Sequence, residues 1–139
     1  RQGLLAEVIR LEPVVGRLFR RLEGDLDVAD GETLGVGTRV AVDVRAANAD
    51  EAAVGPHPLC LDPDRRVPAK GVQRYGLSFG DGHHRCPGSF LALEEADVFL
   101  HRLLSLPGLR LAKPPDVAFN DLVQGYELRD MWVEVAPGR

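Results

Sequence analysis

The opening residues set Leu4, Leu5, Val8 and Ile9 at three- and four-residue spacing, which predicts a short amphipathic helix stopped by Pro13. Glu7 and Arg10 stand three apart in it, so they share one face and can pair. From 14 to 45 the period changes to two. Leu26 and Val28 alternate with Asp25, Asp27 and Asp30, Asp30-Gly31 is a turn signal, and Val40, Val42 and Val44 alternate with Arg39, Asp43 and Arg45. A small antiparallel sheet is the expected product. Residues 46–78 lose periodicity and are punctuated by Pro56, Pro58, Pro63 and Pro68. An irregular connection of that length is commonly functional. From Ser89 the run SFLALEEADVFLHRLLSLPG predicts a long, mostly buried helix over 89–106, ended by Pro107-Gly108. The tail, 107–139, returns to strand-like patterning at Leu109, Leu111, Leu128, Trp132, Val133 and Val135.

Composition adds bounds. The chain has 139 residues, 45% hydrophobic and 27% charged, which is ordinary for one globular domain. Such a chain is expected to bury roughly two-thirds of its extended surface in one core. Enclosing a large cofactor on both sides as well would be hard. No apolar run approaches the roughly 20 residues that cross a bilayer, so no membrane is expected. Glu7 and Arg10 interrupt the first apolar stretch, so it does not read as a signal peptide. The first helix starts with almost no lead-in, and an element upstream is expected. Net charge is −4, with an acidic stretch over 24–62 and a compact basic one over 63–86. That basic patch is too short for a nucleic-acid face and suits protein docking or an anionic cofactor. Two cysteines, Cys60 and Cys86, are too few for a disulfide scaffold, and a reducing, cytoplasmic compartment is expected.

Residues 79–88 read FGDGHHRCPG. Cys86 stands just before a helix start in a glycine-rich turn, where backbone N–H groups and the helix field favour a thiolate. His83, His84 and Arg85 push the same way. Gly80, Gly82 and Gly88 let the backbone approach a flat ligand or take positive φ. This pattern suits a loop that presents one thiolate to a metal and surrounds its sulfur with donors. Three other readings stand beside it. Cys86 is an inert core cysteine; or a nucleophile beside His84, with no acid or oxyanion partner evident; or part of a zinc set with His57, Cys60 and His83 or His84, at a spacing that is not a standard one.

The signature Phe79-Gly80-x-Gly82-x-His84-x-Cys86-x-Gly88 closely resembles the haem-thiolate loop of the cytochrome P450 family, above all its soluble bacterial class. Glu7-Val8-Ile9-Arg10 followed by Pro13 resembles the family's Glu-x-x-Arg helix, Asn48-x-Asp50 its Asn-Arg-Asp segment, and Leu91-Ala92 with Glu95 the helix after the cysteine. The resemblance implies an α+β fold: a Glu-x-x-Arg helix (1–13), short strands (14–45), a meander (46–78), the cysteine loop (79–88), a long helix (89–106) and a terminal β-hairpin region (107–139). It implies haem b as cofactor and Cys86 as the iron ligand. Phe79 would pack by the sulfur, with Gly80 and Gly88 shaping the loop. His84 and Arg20 would meet the haem propionates. Glu7 and Arg10 would be a structural pair bracing the meander. Arg65, Arg66, Lys70, Arg74 and Arg85 would form a basic face that docks a ferredoxin-like electron donor.

Departures accompany the match. The family's Pro-x-x-Phe element, with the arginine that completes the Glu–Arg pair, is poorly matched by Gly55–Asp62, and Cys60 stands near a place where an aromatic is expected. Glu51, Leu93 and Pro87 also replace usual residues. The resemblance covers only the family's final third. It therefore implies the haem-binding part of a monooxygenase that oxidises a small apolar organic substrate once a missing N-terminal part or a complementary subunit completes it. The substrate edge would be Val14–Phe19 and Leu122–Tyr126. The alternative is a non-catalytic binding or scaffolding subunit of the same fold.

Overall fold

A computed structural model describes residues 1–136. The chain runs α1 (Gln2–Leu11), β1 (Arg17–Arg21), β2 (Leu26–Asp27), β3 (Thr33–Leu34), β4 (Arg39–Asp43), α2 (Val44–Asn48) and α3 (Glu51–Val54). After the irregular stretch come α4 (Ser89–Leu104), β5 (Arg110–Lys113), β6 (Asp116–Asn120), β7 (Gly125–Arg129) and β8 (Trp132–Glu134). The architecture is α+β, with terminal strands paired as a hairpin. The end of the expected terminal segment, 137–139, lies outside the described residues.

The strands form four two-stranded antiparallel ladders rather than one sheet: β1–β4, β2–β3, β5–β8 and β6–β7. In β1–β4 Leu18 faces Val42 and Arg20 faces Val40, as the alternation around Val40 and Val42 requires. Val44, the third valine of that run, instead begins α2. The Asp43 carboxylate accepts from Ala46 N at 3.0 Å and caps the helix there. The irregular stretch likewise holds a helix that periodicity missed. Asp50 accepts from Ala52 N at 2.9 Å to start α3, and Gly55, at φ +89°, ends it. These two aspartate caps act on alanine-rich turns too short to show a period.

The helices bury unexpected faces. In α1 the buried side chains are Ala6, Glu7 and Arg10, while Leu4 and Val8 are 43% and 45% exposed. In α4 the expected mostly buried face is wrong for this chain: Ser89 and Asp97 are buried, whereas Phe90, Leu91, Val98, Phe99 and Leu104 are exposed. Arg1 forks onto the Asp97 carboxylate (Nε 3.0 Å, Nη2 2.8 Å) and ties the two helices together. Between them runs an apolar groove of about 240 Å³ lined by Leu4, Leu5, Val8, Leu100 and Leu104.

Beside Pro13, the buried apolar side chains among the described residues are Ala6, Val44, Val54 and Tyr75. The accessible surface is 10441 Å². A folded monomer of 15.2 kDa exposes roughly 7,100 Å². The excess, roughly 3,000 Å², is carried by helix and strand faces with apolar side chains and no partner within the chain. The expectation of one adequate core is therefore not met: the chain organises itself around polar groups and leaves its apolar faces to be covered. No helix among the described residues is long and apolar enough to cross a membrane.

One glycine knots three elements. Gly16 N donates to Val123 O at 2.9 Å, and Gly16 O accepts from Val44 N at 2.9 Å, so the start of β1, the start of α2 and the β6–β7 turn meet there. A Cβ on Gly16 would lie 1.8 Å from Gln124 O. Gly16→Ala should therefore release the β6–β7 hairpin, read as at least tenfold faster amide exchange at Gln124–Arg129 with α4 unchanged.

Candidate functional site

Three charged side chains are deeply buried together. Glu7 is 2% exposed, Arg10 0% and Arg65 6%. Arg10 grips Glu7 as a fork, Nε to Oε1 at 2.6 Å and Nη2 to Oε2 at 2.9 Å. Arg65 Nε adds a bond to Oε2 at 3.0 Å, and the Asp62 N–H another at 3.0 Å. The remaining guanidinium protons hold backbone. Arg10 Nη1 donates to Asn48 O and Pro58 O, both at 2.7 Å. Arg65 donates to Pro56 O (3.0 Å), His57 O (3.0 Å) and Cys60 O (2.8 Å). The stretch from Pro56 to Asp62 thus hangs from two guanidiniums that share one carboxylate. Among the described residues, every fully buried side-chain nitrogen or oxygen has a hydrogen-bond partner.

This corrects the sequence reading of Arg65. It does not belong to a basic outer face. It completes the Glu7–Arg10 pair, the place for which Gly55–Asp62 offered no recognisable arginine. A residue after an aperiodic turn leaves no patterning signal. Its position just beyond the carbonyls it must reach was the one available clue.

Asn48, 1% exposed, carries the lock toward the cysteine loop. Its amide donates to Arg10 O at 2.9 Å and to Ser78 Oγ at 2.9 Å, and its Oδ1 accepts from Leu77 N at 2.6 Å. Ser78 Oγ in turn donates to Ile9 O at 2.8 Å. Gly76 at φ +58° passes so close that a Cβ there would meet Asn48 Oδ1 at 2.1 Å. Neither Ser78 nor Tyr75, next along, was singled out by the sequence pattern.

The loop itself closes on a backbone bond from Cys86 N to Phe79 O at 2.8 Å. Gly80 and Gly82, at φ +68° and +61°, bend it between those ends, and Gly82–His84 forms a 3₁₀ turn. Cys86 is half-buried and its thiol is free, as is that of the exposed Cys60. A Cβ on Gly88 would lie 3.9 Å from Cys86 Sγ, an ordinary contact. Phe79 is half-buried, and His84 is exposed on the loop. Arg20 is exposed on β1, its Nη1 donating to Phe19 O at 2.8 Å. His57, Cys60, His83, His84 and Cys86 do not assemble a zinc site: the described residues hold no group of three or more His, Cys, Asp or Glu placed to share a metal.

Burial pushes the Glu7 pKa up, but bonds from Arg10, the Asp62 N–H and Arg65, with the Arg10 charge, outweigh it and leave it lowered from 4.5 to about 2. A carboxylate with a depressed folded pKa contributes stability that is complete above its unfolded pKa and is lost as pH falls through the folded value. The lock should therefore hold above pH 4.5 and fail between there and about 2. Glu7→Gln leaves two buried guanidiniums short of their counter-charge. It should cost about 3–5 kcal/mol and flatten the acid limb of the stability–pH curve, measured by denaturant titration.

Comparison with known proteins places this arrangement. The family model described as Cytochrome P450 matches residues 2–117. The chain is 38% identical over 112 residues to Cytochrome P450-SOY of Streptomyces griseus, covering 80% of this chain and 25% of that protein. It is 34% identical over 131 residues to pentalenic acid synthase of Streptomyces avermitilis, covering 91% of this chain and 31% of that one. Among solved structures it superposes on P450BioI, crystallised with a fatty-acyl-loaded acyl carrier protein, at TM-score 0.78 and 30% identity, covering 97% of this chain and 33% of that one. A thermophilic P450 from Sulfolobus tokodaii gives TM-score 0.75 at 27% identity, covering 97% and 35%. The chain thus spans about a quarter to a third of the length of these relatives. A buried Glu–Arg–Arg lock, a glycine loop closing on a free cysteine and a family match over most of its length converge: the chain belongs to the cytochrome P450 family.

Proposed function

We propose that this chain is the haem-ligating C-terminal third of a P450 monooxygenase of the soluble bacterial class. The observation that carries the reading is the free, half-buried Cys86 thiol, presented just before α4 by a glycine loop that closes on Phe79 O. The donor set fits haem b. One sulfur is free to serve as a ligand, and the exposed Arg20 guanidinium and His84 ring can donate hydrogen bonds to two propionates. When bound, the haem supplies the iron at which O₂ is activated and an organic substrate is oxidised.

The chain's own residues do the rest. Cys86 donates the thiolate, and its N–H is committed to Phe79 O, which fixes where the sulfur sits. Phe79, whose carbonyl takes that bond, would shield the sulfur from water. The lock and Asn48 hold the meander, 46–78, as a rigid support for the loop, 79–88. Val14–Phe19 and Leu122–Tyr126 are brought side by side by the Gly16–Val123 bond and would offer a small organic substrate an apolar edge. Arg66, Lys70, Arg74 and Arg85, without Arg65, make the basic face for an acidic ferredoxin-like donor. The uncovered faces of α1 and α4 are seats for the remaining N-terminal polypeptide or a complementary subunit, in a cytoplasmic enzyme. The alternative is a non-catalytic binding or scaffolding subunit, a reading that the poorly matched Gly55–Asp62 part of the meander would favour. Arg65 restores that meander's anchor, and no other observation favours it.

In the haem-loaded protein that carries this chain, the reduced carbon-monoxide complex should absorb near the wavelength that gives the family its name. Cys86→Ser should abolish the band. A band that survives the substitution overturns the assignment.

A further inference from the structure

Tyr75 is the one aromatic in the small buried set, at 8% exposure, and the lock does not use it. It sits four residues before Phe79 and touches the cysteine loop at both ends. Its ring meets Phe79 edge to face, centroids 5.0 Å apart and planes at 87°. Its hydroxyl accepts from Arg85 Nη2 at 2.6 Å. Phe79 and Arg85 flank the bond that closes the loop, because Phe79 O accepts from Cys86 N and Arg85 immediately precedes Cys86. One rigid side chain therefore spans the base of the loop and fixes the bearing of an otherwise exposed guanidinium on the residue before the cysteine.

From this geometry we infer that Tyr75 and Arg85 form a cross-brace that positions Cys86 and sets the reduction equilibrium of the haem it ligates; this rests on the haem reading above. The physical argument has two parts. An edge-to-face pair with a charge-assisted hydrogen bond fixes direction as well as distance. A fixed positive charge one residue from the ligand favours the reduced iron, which carries one positive charge less than the oxidised form. A guanidinium released into water is screened and loses most of that influence. Tyr75 and Arg85 are thus positioning residues that act through Phe79 and Cys86, not catalytic ones.

The test is a double-mutant cycle on the haem-loaded protein, with the ferric-to-ferrous ratio read at the wild type's midpoint potential. Arg85→Gln removes the charge and should raise that ratio about threefold or more. Tyr75→Phe keeps the ring contact with Phe79 and removes only the hydroxyl. It should raise the ratio in the same direction by less, with the thermal midpoint little changed. The double variant should match Arg85→Gln alone, since the hydroxyl acts only through the guanidinium. Additive effects, or a Tyr75→Phe ratio equal to wild type, overturn the brace. Arg85→Lys should restore the ratio only in part, because the shorter, more strongly hydrated ammonium is held less firmly by the one Tyr75 hydroxyl; full restoration shows that charge alone suffices and overturns the claim of fixed bearing. A wild type without the thiolate carbon-monoxide band fails the haem reading itself. A normal wild-type band with an unchanged Tyr75→Phe ratio fails this inference alone.

Discussion

The structure depends on one carboxylate shared by two arginines. Glu7 lies at the centre, and the guanidiniums of Arg10 and Arg65 converge on it while their other protons hold the carbonyls of residues 48 to 60. A buried ion pair is poor insurance for stability on its own, because desolvation offsets most of the Coulomb gain. This one earns its place through geometry. The stretch from Pro56 to Asp62 has no ladder and leaves Leu59 and Leu61 exposed, so its carbonyls require donors from elsewhere. Two forked side chains supply them at fixed angles. Asn48 then extends the same hydrogen-bonded framework to Leu77 and Ser78, one residue short of Phe79. The backbone leading into the cysteine loop is thus held by polar contacts running from α1.

That arrangement explains the poverty of the core. With Ala6, Val44, Val54 and Tyr75 as the principal buried apolar side chains, hydrophobic burial within the chain is slight. The apolar sides of α1 and α4 are exposed, and the relatives the chain matches are about three times as long. The polar lock and the exposed apolar faces are complementary halves of one design. The first keeps the cysteine segment in shape, and the second is, on the proposed reading, a surface for further polypeptide.

How much of this was legible beforehand follows the same division. Short-range signals read well. The helix stop at Pro13, the alternation at Val40 and Val42, the run from Ser89 and the glycine loop all act within a few residues. The family signature around Cys86 was legible because its glycines and histidine sit at fixed spacing. Long-range polar partnerships were not. Arg65 lies 58 residues from Glu7, and no periodicity marks an arginine that will turn inward. The face of α4 was misread because apolar spacing shows where a helix seeks a partner, not whether that partner lies in the same chain. The aspartate caps of α2 and α3 were missed because a one-turn helix has too few positions to display a period.

On the proposed reading, this polar framework hands one sulfur to iron. X-ray absorption at the iron edge of the haem-loaded protein should then show a single sulfur scatterer beside the porphyrin nitrogens, lost in Cys86→Ser and retained in Cys60→Ser. A first shell of nitrogen and oxygen alone in the wild type, or a sulfur that disappears with Cys60 instead, would contradict it.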